Sequence, residues 1–181
     1  GGALLLQTKK PQGEFEADAQ MTLGSNNRYQ MSGGVTLPLS DTLGVRIAGY
    51  MDTDYGWVEA LNQDPRGQDH SYSGVAGRTT ITDIPLNNTK VNSARITGLW
   101  EPTDQLSVTA QFETFSDQGN GSILLNPVDV EAGRYQAYID SPIFLDLSSD
   151  VFRSTVSYDI NDLVNVEYIV GSADLSRKQI V

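Results

Sequence analysis

The chain has a single histidine, His70, which follows Asp69 and precedes Ser71 and Ser73. These are the residue types of a nucleophile, a base and an orienting acid. Such a relay, however, needs them brought together from separate elements, and neighbours in one polar loop do not provide that geometry. The plainer reading is an exposed loop histidine, and no enzymatic activity is expected. Asp52-Thr53-Asp54-Tyr55-Gly56 opens like a calcium loop, which wants glycine at its sixth position and a bidentate glutamate at its twelfth. Trp57 and Gln63 stand there instead, so the segment reads as the polar, glycine-broken end of a strand. Gly133-Arg134-Tyr135-Gln136-Ala137-Tyr138 is the stretch best suited to touch a ligand. Arg134 offers a cation, and Tyr135 and Tyr138 offer aromatic faces within a long loop. The bland alternative is that these tyrosines pack the loop upon itself. Without cysteine, neither a disulfide framework nor a thiolate metal site can form, and no cofactor is expected.

A second set of charged residues is spaced differently. Glu16, Asp18, Arg46, Arg95, Glu113 and Arg153 each sit one residue away from apolar neighbours in alternating segments. From Glu14 onward, Phe15, Ala17, Ala19, Met21 and Leu23 alternate with Glu14, Glu16, Asp18, Gln20 and Thr22. A strand puts these sets on opposite faces, whereas a helix would scatter them. The same alternation recurs in Tyr29–Leu37, Leu43–Asp52, Ser93–Trp100, Leu106–Glu113 and Phe152–Ile160, and more loosely in Val164–Val170. About seven strands are therefore predicted, with no segment of helical period.

The connections differ in length. Pro38-Leu39-Ser40-Asp41-Thr42, Pro102-Thr103-Asp104 and Asn161-Asp162 are tight, while Glu59 to Asn87 and Gln118 to Ser148 are long and polar. Gly24-Ser25-Asn26-Asn27-Arg28 is short but falls on the same side as the long ones. Outer-membrane barrels have this asymmetry of short turns and long loops. A soluble antiparallel sandwich also alternates. Its strands are typically roughly 5–6 residues, whereas a tilted bilayer crossing needs roughly 9–11. Tyr29, Tyr50, Trp57, Trp100, Phe115 and Tyr158 lie near strand ends, where an interfacial aromatic girdle would sit.

Composition excludes some classes without deciding between a membrane barrel and a soluble domain. Apolar residues are 39% of the chain, a share that suits strands with only one apolar face and also a soluble fold. The net charge of -11 repels phosphate backbones, so no nucleic-acid partner is expected. The same charge argues against a peripheral protein held on anionic lipid by a basic face. No apolar run is long enough for a transmembrane helix. The opening residues lack the basic segment of a signal peptide, and both ends read as cut.

Gly1-Gly2-Ala3-Leu4-Leu5-Leu6-Gln7-Thr8-Lys9-Lys10-Pro11 resembles the end of the plug domain of TonB-dependent outer-membrane receptors, although Leu5 stands where that family usually has asparagine. The likeness continues through Phe15-Glu16-Ala17, Gly24-Ser25, Ser32-Gly33-Gly34, Leu37-Pro38-Leu39-Ser40-Asp41, Val45-Arg46-Ile47-Ala48-Gly49-Tyr50 and Gly56-Trp57-Val58. It returns in Leu99-Trp100-Glu101-Pro102-Thr103-Asp104-Gln105-Leu106. The resemblance implies that residues 1–12 close the plug and lead out of it, and that residues 13–181 are the first strands of an antiparallel transmembrane β-barrel. The chain is then an all-β fragment, an open curved sheet with both long loops at one end. Its unpaired edges would make it aggregation-prone in water.

The resemblance further implies a bacterial outer-membrane location and TonB-coupled import of a scarce, bulky nutrient such as a ferric siderophore. Partners would be outer-membrane lipid, the small-molecule substrate and the TonB complex, the last contacted by a segment ahead of the plug. Glu16, Asp18, Arg46, Arg95, Glu113 and Arg153 would face the lumen. A passive porin or structural barrel is the alternative, and the plug-end motif distinguishes the two.

Overall fold

The computed structural model describes residues 9–11, 13–61, 86–120, 135–138 and 143–180. Among these residues every regular element is a strand: β1 Glu16–Leu23, β2 Tyr29–Ser40, β3 Leu43–Asp54, β4 Glu59–Leu61, β5 Thr89–Thr103, β6 Leu106–Asp117, β7 Gln136–Tyr138, β8 Phe144–Asn161 and β9 Val164–Ile180. Seven of them form one sheet in the order β1-β2-β3-β5-β6-β8-β9, while β4 and β7 pair separately. Every neighbouring pair in the large sheet is antiparallel. The sheet is open, with β1 and β9 as its edges.

The three tight turns share one construction. Ser40 Oγ accepts the Thr42 N–H at 3.3 Å, Thr103 Oγ1 accepts the Leu106 N–H at 3.2 Å, and Asn161 Oδ1 accepts the Leu163 N–H at 3.0 Å. Short polar side chains thus supply the acceptors that the ending ladder lacks. Each turn also carries a register shift just before it, at Pro38/Ser40, Trp100/Thr103 and Asp159/Asn161. At the opposite end, Gly24–Arg28 turns through Asn26 and Asn27, whose φ values of 57° and 52° are ones asparagine tolerates better than most residues. The two long connections leave from this same end, the loop end of the sheet.

Register separates two faces cleanly. One row of opposed residues runs Ala17, Val35, Ile47, Ile96, Phe112, Phe152 across six strands. The face bearing this row is apolar and exposed: Ile47, Ile96, Phe112 and Phe152 keep 51%, 45%, 45% and 41% of their surface. The other face is polar and more covered. Thr36, Asp52 and Thr97 are buried there, and among the described residues Leu99 is the only buried apolar side chain of the large sheet. The usual arrangement of a soluble sheet, apolar side in and polar side out, is reversed.

The apolar face does not extend over the full strands. On β8 it runs from Ile160 back to Phe152, after which Asp150, Ser148 and Asp146 take its place, while Val151, Leu147 and Leu145 appear on the other face. On β9 it runs from Val164 to Val170 and is followed by Ser172, Asp174, Ser176 and Lys178. This swap explains where the sequence reading falls short. The loop expected from Gln118 to Ser148 already contains the start of β8, and the strand expected to stop at Val170 continues to Ile180. Alternation persists through both segments, but with its phase reversed.

The loop-end limit of the apolar face also moves from strand to strand. It lies at Tyr29 on β2, Met51 on β3, Ala94 on β5, Phe112 on β6, Phe152 on β8 and Val170 on β9. In paired register this is a displacement of about eight residues over five strand-to-strand steps. With roughly 3.3 Å per residue and roughly 4.8 Å between strands, the limit crosses the sheet at about 45° to the strands.

Ahead of β1, Pro11 is buried on the polar face at the turn end of the sheet. It fits because Gly44 lies beneath it: a Cβ at Gly44 would come within 3.0 Å of the Pro11 carbonyl oxygen and 3.3 Å of its Cβ. Lys9 also pairs with Glu16. Gly44→Leu is therefore expected to displace residues 9–11 from the sheet. Tryptic cleavage between Lys9 and Lys10 should accelerate severalfold, whereas an unchanged cleavage rate would contradict the contact.

Candidate functional site

The six charged strand residues expected to act together do share one face. Across the sheet, Asp18 opposes Gly34, then Ala48, Arg95 and Glu113, while Glu16 opposes Thr36 and then Arg46. Arg153 opposes Gln111, on the same side. Arg46 Nη2 reaches Asp18 Oδ1 at 2.6 Å and its Nη1 donates to Thr36 Oγ1 at 2.9 Å. Arg95 Nε donates to Glu113 Oε2 at 2.7 Å. Gly34 makes room for the first group, since a Cβ there would collide with the Arg46 guanidinium. These pairs tie β1 to β3 and β5 to β6 across the polar face.

Nearer the loop end lies a network that sequence reading misses. Arg28 grips Asp52 through two bonds, Nε to Oδ1 at 3.1 Å and Nη2 to Oδ2 at 2.7 Å. Gln30 Nε2 donates to the Tyr50 hydroxyl at 2.8 Å, which in turn donates to Asp52 Oδ2 at 3.3 Å. A fork of this kind is the strong form of ion pair. The hydrogen bond to Asp52, and then the charge of that carboxylate, raise the Arg28 pKa above its ordinary value. From sequence, Asp52 reads as the polar end of the third strand and Arg28 as a turn residue. Their partnership depends on β2–β3 register, which local pattern does not contain.

The two long connections are joined to each other. β4 and β7 pair in parallel, Glu59 with Gln136 and Leu61 with Tyr138. Val58 bridges Leu86, and both are buried, as is Ala137 of β7. Trp57 and Tyr135 meet edge to face, with ring centroids 5.3 Å apart and planes at 75°, an arrangement favoured by the ring quadrupoles. Lower down, Asn88 and Asn120 clamp each other: the Asn88 N–H donates to Asn120 Oδ1 at 2.9 Å, and the Asn120 N–H to Asn88 Oδ1 at 2.8 Å. Gly56, with φ of 78°, turns the chain from β3 into this assembly. Its N–H donates to Asp54 Oδ1 at 2.7 Å.

Between these features and the Gly24–Arg28 turn opens a cleft of about 410 Å³. Ser25, Asn26, Asn87, Asn88 and Thr89 line it, with Trp57 beside them and the charged Arg28, Asp54 and Asp117 around it. Of the residues singled out for ligand contact, Tyr135 is half-exposed and packs on Trp57. Tyr138 contributes its backbone to β7, and Arg134 lies outside the described residues. His70, with Asp69, Ser71 and Ser73, also lies outside them, as do Gly1 to Thr8 of the plug-end motif.

Compared with known proteins, the chain matches no family model, no curated protein and no solved structure.

Proposed function

We propose that the chain is part of the wall of a bacterial outer-membrane β-barrel, and that the whole barrel imports a scarce, bulky nutrient with TonB coupling. The observation that carries this reading is the reversed polarity of the sheet. An exposed apolar face backed by paired charges is unfavourable in water but suits a strand array between lipid and a wet lumen. On this reading Glu16, Asp18, Arg46, Arg95, Glu113 and Arg153 face the lumen.

Two further features support it. The oblique limit of the apolar face, at about 45° to the strands, is close to the roughly 35–45° tilt of strands in membrane barrels. A horizontal water line drawn across tilted strands must step along them in this way. The position of Pro11 on the polar face at the turn end is also where a chain leaving a lumenal plug would enter β1. A porin with an empty lumen has no such segment to place. The import mechanism itself comes from the sequence resemblance, with the ferric siderophore as the substrate it puts first.

Trp100 stands on the apolar face beside Val108 and Leu43, whereas Trp57 stands at the loop end outside that face. In a Trp57→Phe variant, lipid brominated along its acyl chains should strongly quench the remaining Trp100 emission. Emission unaffected by brominated lipid, while the protein stays folded in vesicles, would refute the membrane assignment.

A further inference from the structure

The cations of the polar face are largely committed to carboxylates: Arg46 to Asp18, Arg95 to Glu113 and Arg28 to Asp52. The loop-end cleft is lined by groups of a different kind. Among the described residues its single lining cation is Arg28, already held in a fork by Asp52. Its other charged lining groups are the carboxylates of Asp54 and Asp117, and each has one oxygen accepting a neighbouring glycine N–H. The remaining wall is mainly amide and hydroxyl, beside an indole that keeps 44% of its surface.

This lining selects among ligand classes. An anionic ligand would meet two carboxylates and a neutralised guanidinium, within a chain of net charge -11, so the field opposes it. A ferric complex carrying excess negative charge belongs to that class. A cation would be drawn by the carboxylates but would leave the N–H groups of the asparagine amides without acceptors. A hydroxyl group both donates and accepts, and so satisfies amides and carboxylates alike. A ring carrying several hydroxyls also has an apolar face to lay against the half-exposed indole of Trp57. From this lining we infer that the cleft binds a neutral, polyhydroxylated ligand, a glycan, with Trp57 as its platform. The inference rests on the transport reading above and narrows its substrate to a glycan in place of a siderophore.

The test uses the protein purified in detergent and titrated calorimetrically with maltohexaose, xylohexaose and cellohexaose. An anionic ferric tris-catecholate and choline serve as contrasting probes. Saturable binding of at least one neutral hexasaccharide is expected. Trp57→Ala should weaken it at least tenfold by removing the platform, and Thr89→Arg should weaken it at least tenfold by filling the cleft. In a Trp100→Phe variant the same titration should change the emission of Trp57, the only tryptophan left. The inference is overturned if no neutral hexasaccharide binds, if only the ferric complex or choline binds, or if Thr89→Arg binds the sugar as tightly as the parent. Trp100 quenching by brominated lipid separates the two levels. If quenching persists without sugar binding, only the glycan assignment fails; if quenching is absent, the membrane assignment fails whatever the sugar does.

Discussion

Ile96→Arg is expected to lower the stability of the membrane-inserted protein by about 2–4 kcal/mol, the cost of a cation on the lipid face near the bilayer midplane. Ile96 lies between Ile47 and Phe112 in the row that crosses the exposed apolar face. It is 45% exposed, so the substitution breaks little packing and reads the surrounding solvent directly. Thr109→Arg is the control, because Thr109 opposes Leu99 and Thr155 on the polar face. That variant should stay within about 0.5 kcal/mol of the parent, the range of a surface substitution away from special features. Denaturant titration of the protein in phospholipid vesicles measures both. Were the apolar face covered only by water, Ile96→Arg would be neutral or would improve solubility, and the two variants would not separate.

The second large effect belongs to Gly56→Val. The φ of 78° at Gly56 is strained for any β-branched residue, at a cost of about 1–3 kcal/mol. A Cβ there would also overlap the carbonyl oxygen of Leu86. That oxygen accepts the N–H groups of Trp57 and Val58, both at 3.3 Å, so relieving the overlap breaks the bridge joining β3 to the start of β5. Lost hydrogen bonds add about 1 kcal/mol each. The damage should stay local, since the large sheet is laced by its own register. Hydrogen exchange should show the Leu86 amide losing its protection, which comes from Val58 O at 2.9 Å, while Ile47 and Ile96 keep theirs. Unchanged protection at Leu86 would show that the glycine is dispensable.

The sheet was legible in the sequence because alternation with a period of two is a local signal. Leu43 to Asp52 states its two faces without reference to any other strand. The ends of β8 and β9 were not legible, since at Asp150 and Ser172 the apolar and polar positions exchange and the pattern reads as a break. The Arg28–Asp52 fork and the Asn88–Asn120 clamp were hidden for another reason. Each joins residues brought together only by register or by the meeting of two long connections. The pairing of β4 with β7 was also out of reach, because three-residue strands have too few positions to show a period. Trp57 had been noted for a strand end, yet its contact with Tyr135 follows from that pairing.

The exchange of polar and apolar faces along β8 and β9 also bears on how the protein would sit in a bilayer of changing thickness. Sliding a tilted strand outward by two residues brings Asp159 no nearer to lipid, but exposes Phe152 to water. Sliding it inward by two residues carries Asp150 and its cross-strand neighbour Asp174 into hydrocarbon. On that membrane reading displacement would cost energy in both directions, and the steeper penalty would guard the loop end. Mismatch with a thicker or thinner membrane would have to be met by the lipid, at fractions of a kcal/mol per Å. In the proposed membrane setting the strands themselves would act as a fixed draught mark, holding the cleft at a constant height above the surface.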